Sequence, residues 1–228
     1  MLRRKLLRKY ETTKLFWGKY LYKISIRNVL APCFRGKNFS YAREVLDGLQ
    51  HSYEKGEPLI RTVWLKRHPV SEQQFLDAKI LYSKFKKFDD FLLRIEMSSM
   101  NVYSNDKDWL LELGDSVAEQ SVESFWEPDT KYQSLLDQNT IIVPEHNGYD
   151  YKVTLGNKSG DSGFANFAKT NPKLVKVGPI LMEEMENKGY VNNMYFYARD
   201  EKVLQLCSLL LSNIRRIDKL VVKSNIDK

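Results

Sequence analysis

Histidine is nearly missing from this chain. His51, His68 and His146 are the only three among 228 residues, and no Cys-x-x-Cys, His-x-His or His-Glu-x-x-His spacing accompanies them. Those spacings are what converge ligands on zinc, so no metal site is readable and none is expected. Cysteine is as scarce. Cys33 and Cys207 lie far apart in sequence and make no disulfide framework, which predicts a reducing, cytoplasmic compartment. No apolar run approaches the roughly 18 residues needed to cross a bilayer, so no membrane span is expected, and no secretory signal pattern opens the chain. Neither a Walker A sequence nor Gly-x-Gly-x-x-Gly occurs, so nothing predicts a nucleotide cofactor held by a glycine loop.

The shortage of histidine also excludes a tempting motif. Gly160-Asp161-Ser162-Gly163 matches the residues around a serine-protease nucleophile, but that chemistry needs a histidine base oriented by a buried carboxylate. The residues that follow read as helical, so the tetrapeptide is expected to be a polar turn capping a helix. No catalytic residue is assigned. A metal-dependent nuclease is the third of three functional readings. It would rest on Glu96 with Asp89, Asp90, Asp106 and Asp108, the acids nearest one another in sequence around a strand.

What the chain has is apolar residues at 43% and aromatics at 12%, ordinary for a folded domain, and an uneven charge. The formal net charge is +7, yet residues 1–37 hold eleven Lys and Arg against Glu11 and carry +10, leaving −3 for the rest. The stretch 105–138 runs the other way, with nine acids against Lys107 and Lys131. Cationic character therefore belongs to the amino-terminal segment, and the remainder is a balanced domain with an acidic side.

The chain also repeats itself. Tyr20-Leu-Tyr22-Lys23-Ile-Ser-Ile-Arg-Asn28 returns as Tyr149-Asp-Tyr151-Lys152-Val-Thr-Leu-Gly-Asn157, each alternating as a half-buried strand does. Each follows a reversal signal: residues 14–16 then Trp17-Gly18-Lys19, and residues 140–143 then Glu145-His146-Asn147-Gly148. Both are expected to be hairpins. Tyr103-x-x-Asp106 and Tyr197-x-x-Asp200 each open a helical pattern, with Leu110, Leu113 and Val117 matching Leu204, Cys207 and Leu211. Between these landmarks, helices are expected from residue 39, capped by Asn38 or Ser40, and from the Ser71-x-x-Gln74 capping box. Strands are expected at 59–65, 91–103 and 121–126. The second half adds helices at 164–169, 179–188 and 200–211, and strands at 193–198 and 214–222.

Each half reads as hairpin, helical segments, strand, helix, strand. The expected fold is α+β: two duplicated halves, 12–130 and 139–228, with antiparallel sheets and helices packed on one face of each. A ferredoxin-like or RRM-like pair is the nearest familiar architecture. A basic arm, residues 1–11, would precede it; it lacks Gly, Pro and a run of acids and is compatible with a helix.

Lysine and arginine neutralise phosphates, and aromatics on a sheet stack on unpaired bases. Residues 1–37 interleave both, so the leading expectation is a non-enzymatic accessory protein that binds RNA or DNA. Its contacts would be Arg3, Arg4, Lys5, Arg8 and Lys9 on the arm, Lys14, Trp17, Lys19, Lys23 and Arg27 on the hairpin and strand, and Arg35 and Lys37 beyond. The second reading is an assembly subunit of a viral or ribonucleoprotein particle, meeting protein neighbours through the arm and the acidic helix 105–119.

Overall fold

A computed structural model describes residues 8–63 and 66–223. These divide into two compact units, one built from residues 8–12 and 19–129, the other from 13–18 and 130–223.

The first unit contains, in chain order, β1 (Arg8–Glu11), β2 (Tyr22–Arg27), α1 (Phe39–Glu54), β3 (Ile60–Val63), β4 (Lys66–Pro69), α2 (Glu72–Lys87), β5 (Phe91–Glu96), β6 (Ser99–Ser104), α3 (Lys107–Asp115) and β7 (Val122–Glu127). Its helices start where the sequence provides acceptors for unpaired N–H groups. The Asn38 side chain accepts from Tyr41 N, and Ser71 and Gln74 form the expected capping box. β3 and β4 make a separate two-stranded hairpin, and the predicted strand at 59–65 runs into Trp64 and Leu65, which lie outside the described residues. The other five strands form one sheet in the order β1-β7-β2-β6-β5. Strand alternation sends Ile24, Ile26, Met100, Val102 and Phe125 to one face, where Phe75, Leu81, Phe85, Leu110 and Leu113 of the helices bury them. Lys23, Ser25 and Arg27 go to the other.

The second unit runs β8 (Thr140–Val143), β9 (Tyr151–Leu155), β10 (Lys158–Ser159), α4 (Ser162–Thr170), β11 (Val175–Val177), α5 (Pro179–Glu186), β12 (Tyr190–Val191), β13 (Tyr195–Ala198), α6 (Glu201–Leu210) and β14 (Ile214–Val222). Its main sheet has the order β11-β13-β9-β14-β8, and β10 pairs with β12 apart from it. The core gathers Val153, Leu155, Phe196 and Ala198 from the sheet with Phe164, Met185, Val203 and Cys207 from the helices.

The two five-stranded sheets fit a duplicated unit. Strand for strand, β1, β2, β5, β6 and β7 correspond to β8, β9, β11, β13 and β14, in the same order and with the same senses. The repeated motifs coincide in register: Lys23 pairs with Tyr103 across β2 and β6, and Lys152 with Tyr197 across β9 and β13. Both motif aspartates are N-caps, Asp106 accepting from Trp109 N at 2.8 Å and Asp200 from Val203 N at 2.9 Å. Leu110, Leu113, Val117, Cys207 and Leu211 are buried as expected. Leu204 is only half-buried, and Val203 takes the inner position beside it.

Four expectations need correction. The sheets are mixed, because β1 lies parallel to β7 and β8 parallel to β14. The second hairpin is split: β8 and β9 run in opposite senses, but β14 sits between them and pairs with both. A two-residue turn would force direct pairing, whereas the seven-residue connection 144–150 spans the two strand spacings, about 10 Å, that an inserted partner needs. Third, Arg8-Lys9-Tyr10-Glu11 is an edge strand rather than part of a helical arm. The acidic helix is also shorter than expected, ending at Asp115, where Ser116 bonds back to the Leu113 carbonyl.

Candidate nucleic-acid interface

Of the residues expected to contact phosphate, Arg3, Arg4 and Lys5 lie outside the described residues. Several others are engaged by carboxylates. Lys9 reaches Glu127 at 3.1 Å, and Lys19 reaches Asp90 at 2.9 Å, a bond that raises the Lys19 pKa above its ordinary value. Lys14 donates to Asp218 Oδ2 at 2.8 Å, while Arg216 Nε holds Asp218 Oδ1 at 2.7 Å, so this fully buried carboxylate is clamped between two cations of the second unit. Lys37 lies 3.7 Å from the centre of the Phe91 ring, and burial pushes its pKa down. Arg35 is exposed at a non-helical kink within the segment Ala31–Lys37. Trp17 stands in the expected reversal, with φ of +56° followed by +68° at Gly18. It is 59% exposed and borders a cavity of about 450 Å³ shared with Gln138, Asn139, Arg215 and Arg216.

What the structure brings together is different in membership. On the sheet face of the first unit that carries no core, Lys23 occupies the central strand between Tyr103 and Trp126. Its Nζ lies 5.8 Å and 5.4 Å from the two ring centres, and Tyr10 of the edge strand stacks on Trp126 at 4.6 Å. Arg8, Arg27 and Arg94 surround this row. Arg94 ion-pairs with Glu96, and Arg27 approaches Glu123 at 4.0 Å. Ser25 and Asn101 are buried on the same face, the serine hydroxyl donating to Asn101 Oδ1 at 2.7 Å. Burial pushes the Lys23 pKa below its ordinary value, and Glu96 pulls partly the other way.

The second unit repeats the arrangement with fewer acids. Lys152 holds the position of Lys23, opposite Tyr197, with its Nζ 3.8 Å from the centre of the Tyr195 ring. Burial again lowers the lysine pKa, reinforced by the charge of Lys14. Lys176 pairs with Tyr197 from the next strand, and Arg216 faces Thr154. Tyr195 and Tyr197 meet edge to face at 5.6 Å. Burial, then the neighbouring Tyr195, raises the Tyr197 phenol pKa.

Charge composition points to residues 1–37 and so misses Tyr103, Trp126, Lys152, Tyr195 and Tyr197. The repeat is the signal that marks Tyr103, Lys152 and Tyr197; Trp126 and Tyr195 emerge only from the strand pairing. The Lys of Tyr-x-Tyr-Lys and the Tyr of Tyr-x-x-Asp are the two motif positions that fall on the same sheet face.

Three of the five acids that a nuclease would use are engaged elsewhere. Glu96 binds Arg94 and accepts from Asn101, Asp90 binds Lys19, and Asp106 caps α3. Among the described residues no group of three or more His, Cys, Asp or Glu is arranged to hold a metal ion. No described helix is long and apolar enough to cross a membrane. Comparison with protein-family models, with curated proteins and with solved structures returns no match.

Proposed function

We propose that this protein binds single-stranded nucleic acid, as a non-enzymatic accessory factor, through the core-free face of each sheet. One observation carries the reading. A lysine on the central strand faces a tyrosine on the neighbouring strand in both units, Lys23 with Tyr103 and Lys152 with Tyr197, ringed by further cations and aromatics. Folding a sheet does not require a lysine at its centre, where burial penalises the ammonium. A phosphate oxygen would compensate that penalty. Tyr103 is buried, but the exposed rings near the lysines, Tyr10 and Tyr195, suit unpaired bases, which offer a π-face whatever their sequence.

The connectivity supports a ferredoxin-like, RRM-like reading of each unit. Without the parallel edge strand, the first unit is β2, helices, β5, β6, helix, β7, and its sheet order is fourth-first-third-second. The second unit has the same order with β9, β11, β13 and β14. In such a sheet the first and third strands lie side by side at the centre, and here they carry the Lys–Tyr pairs. Trp17, with Arg215 and Arg216 at its cavity, extends the cationic surface of the second unit.

The test is the affinity of the full chain for a labelled oligouridine across a salt series. Lys23→Gln with Lys152→Gln should weaken binding and flatten the slope of log affinity against log salt by roughly 0.7 for each phosphate no longer neutralised. An unchanged affinity and slope would remove both lysines from the interface.

A further inference from the structure

Between β13 and the start of α5 the second unit has an open cavity of about 610 Å³, within the range of small-molecule sites. Its lining includes Lys176, Pro179, Ile180, Met194, Tyr195 and Tyr197. We infer that this cavity receives one nucleobase of a bound strand, an inference that rests on the nucleic-acid reading above.

The walls have the chemistry for a flat, anionic ligand. Tyr195 is 46% exposed and Ile180 66% exposed, so apolar surface is available without unpacking the core. The two tyrosine rings stand nearly perpendicular, at 78°, which offers a base one ring to stack on and a second to meet its edge. No carboxylate lines the cavity, while Lys176 lines it and Lys152 sits against the Tyr195 ring. Cationic ligands are disfavoured, because an ammonium already occupies the π-cloud they would seek and a second lysine repels them. An uncharged apolar ligand would leave both lysines without a role. A base tethered to phosphate uses the rings and the cations together.

The duplication shows that this pocket is an addition. In the first unit β5 and β6 are joined by Met97 and Ser98 alone, whereas their counterparts β11 and β13 are separated by α5 and β12. The inserted helix supplies Pro179, Ile180 and Leu181, half of the apolar wall. The core-free faces are common to both units, but the pocket belongs to the second.

Anisotropy titrations of the full chain with labelled oligouridine and oligoadenosine test the assignment. Tyr195→Leu keeps an apolar side chain and removes the ring; it should weaken binding roughly 5- to 150-fold, the range for removing one base–aromatic stack. Ile180→Glu places a carboxylate at an exposed position on the cavity mouth and should weaken binding without disturbing the fold. Tyr190→Ala, an exposed tyrosine on β12 outside the cavity, should bind as the parent does. If the parent binds but Tyr195→Leu and Ile180→Glu, melting normally, stay within about twofold of it, the pocket is refuted while the sheet-face reading stands. If the parent binds neither strand, the nucleic-acid reading falls and the pocket falls with it.

Discussion

Asp77→Ala is expected to lower the stability of the first unit by about 3–5 kcal/mol. Asp77 sits on α2 with no solvent exposure, and its carboxylate accepts from Ala118 N at 3.0 Å, Ser121 Oγ at 2.6 Å and Gln73 Nε2 at 2.8 Å. Two of these donors belong to the connection that leads from α3 into β7, so one side chain fastens a helix to the approach of an interior strand. Hydrogen bonds to a charged acceptor contribute about 1.5–3 kcal/mol each, and truncation leaves a backbone N–H and a serine hydroxyl unsatisfied in the interior. Alanine has the better helix propensity, worth about 0.5 kcal/mol, which offsets little of this. Denaturant titration, with hydrogen exchange to localise the loss to α2 and β7, measures the effect. A drop below about 1 kcal/mol would mean that water replaces the carboxylate at no great cost.

Gly160→Ala should damage the second unit by about 3 kcal/mol or more, the upper end for overpacking where backbone must move. A Cβ built at Gly160 would lie 2.2 Å from the Glu184 carbonyl oxygen and 2.6 Å from Met185 Cα, both backbone atoms of α5. Neither can rotate away, so α4 and α5 would have to separate. Gly163, in the same tetrapeptide, makes the internal control. An added Cβ there meets only the Asp161 side chain, at 3.0 Å, and the position is helical. Gly163→Ala is expected to change stability little. Thermal melts of the two variants decide the matter, and equal melting temperatures would contradict the packing account. Gly-Asp-Ser-Gly is thus a packing and capping device, with Asp161 accepting from Phe164 N at 3.0 Å to start α4.

Most of the fold is legible because its signals are local. Caps at Asn38 and Ser71, the period-two runs at Tyr22 and Tyr151, and the β14 span at 214–222 follow from residues a few positions apart. Pairing is non-local and is misread where a turn signal stands in for it. Asn147-Gly148 reverses the chain, but the strand that lies beside β9 arrives from the far end of the unit, and no local residue announces it. The edge strand β1 escapes for a related reason: a run of Arg8, Lys9 and Tyr10 has little strand character until the Trp126 ring and the Glu127 carboxylate give it a partner.

The candidate interface is legible only in part. Net charge favours residues 1–37, but charge counting cannot see that Lys9, Lys14 and Lys19 meet Glu127, Asp218 and Asp90, acids far along the sequence. Lys23 and Arg27 are found by composition. Lys152, Tyr195 and Tyr197 sit in a half with little net charge; the sequence repeat marks Lys152 and Tyr197, and only the strand pairing brings Tyr195 beside them. Because β1 begins at Arg8, a truncation meant to isolate the contribution of Arg3, Arg4 and Lys5 should stop at residue 7 and leave the edge strand whole.

The most direct test is ultraviolet crosslinking of the full chain to single-stranded RNA and DNA, with the modified peptides identified by mass spectrometry. Crosslinks are expected on the aromatic residues of the core-free faces, Tyr10 and Trp126 in the first unit and Tyr195 and Tyr197 in the second. Crosslinks confined to the Ala31–Lys37 segment or the helices, or none with either strand, would contradict the account.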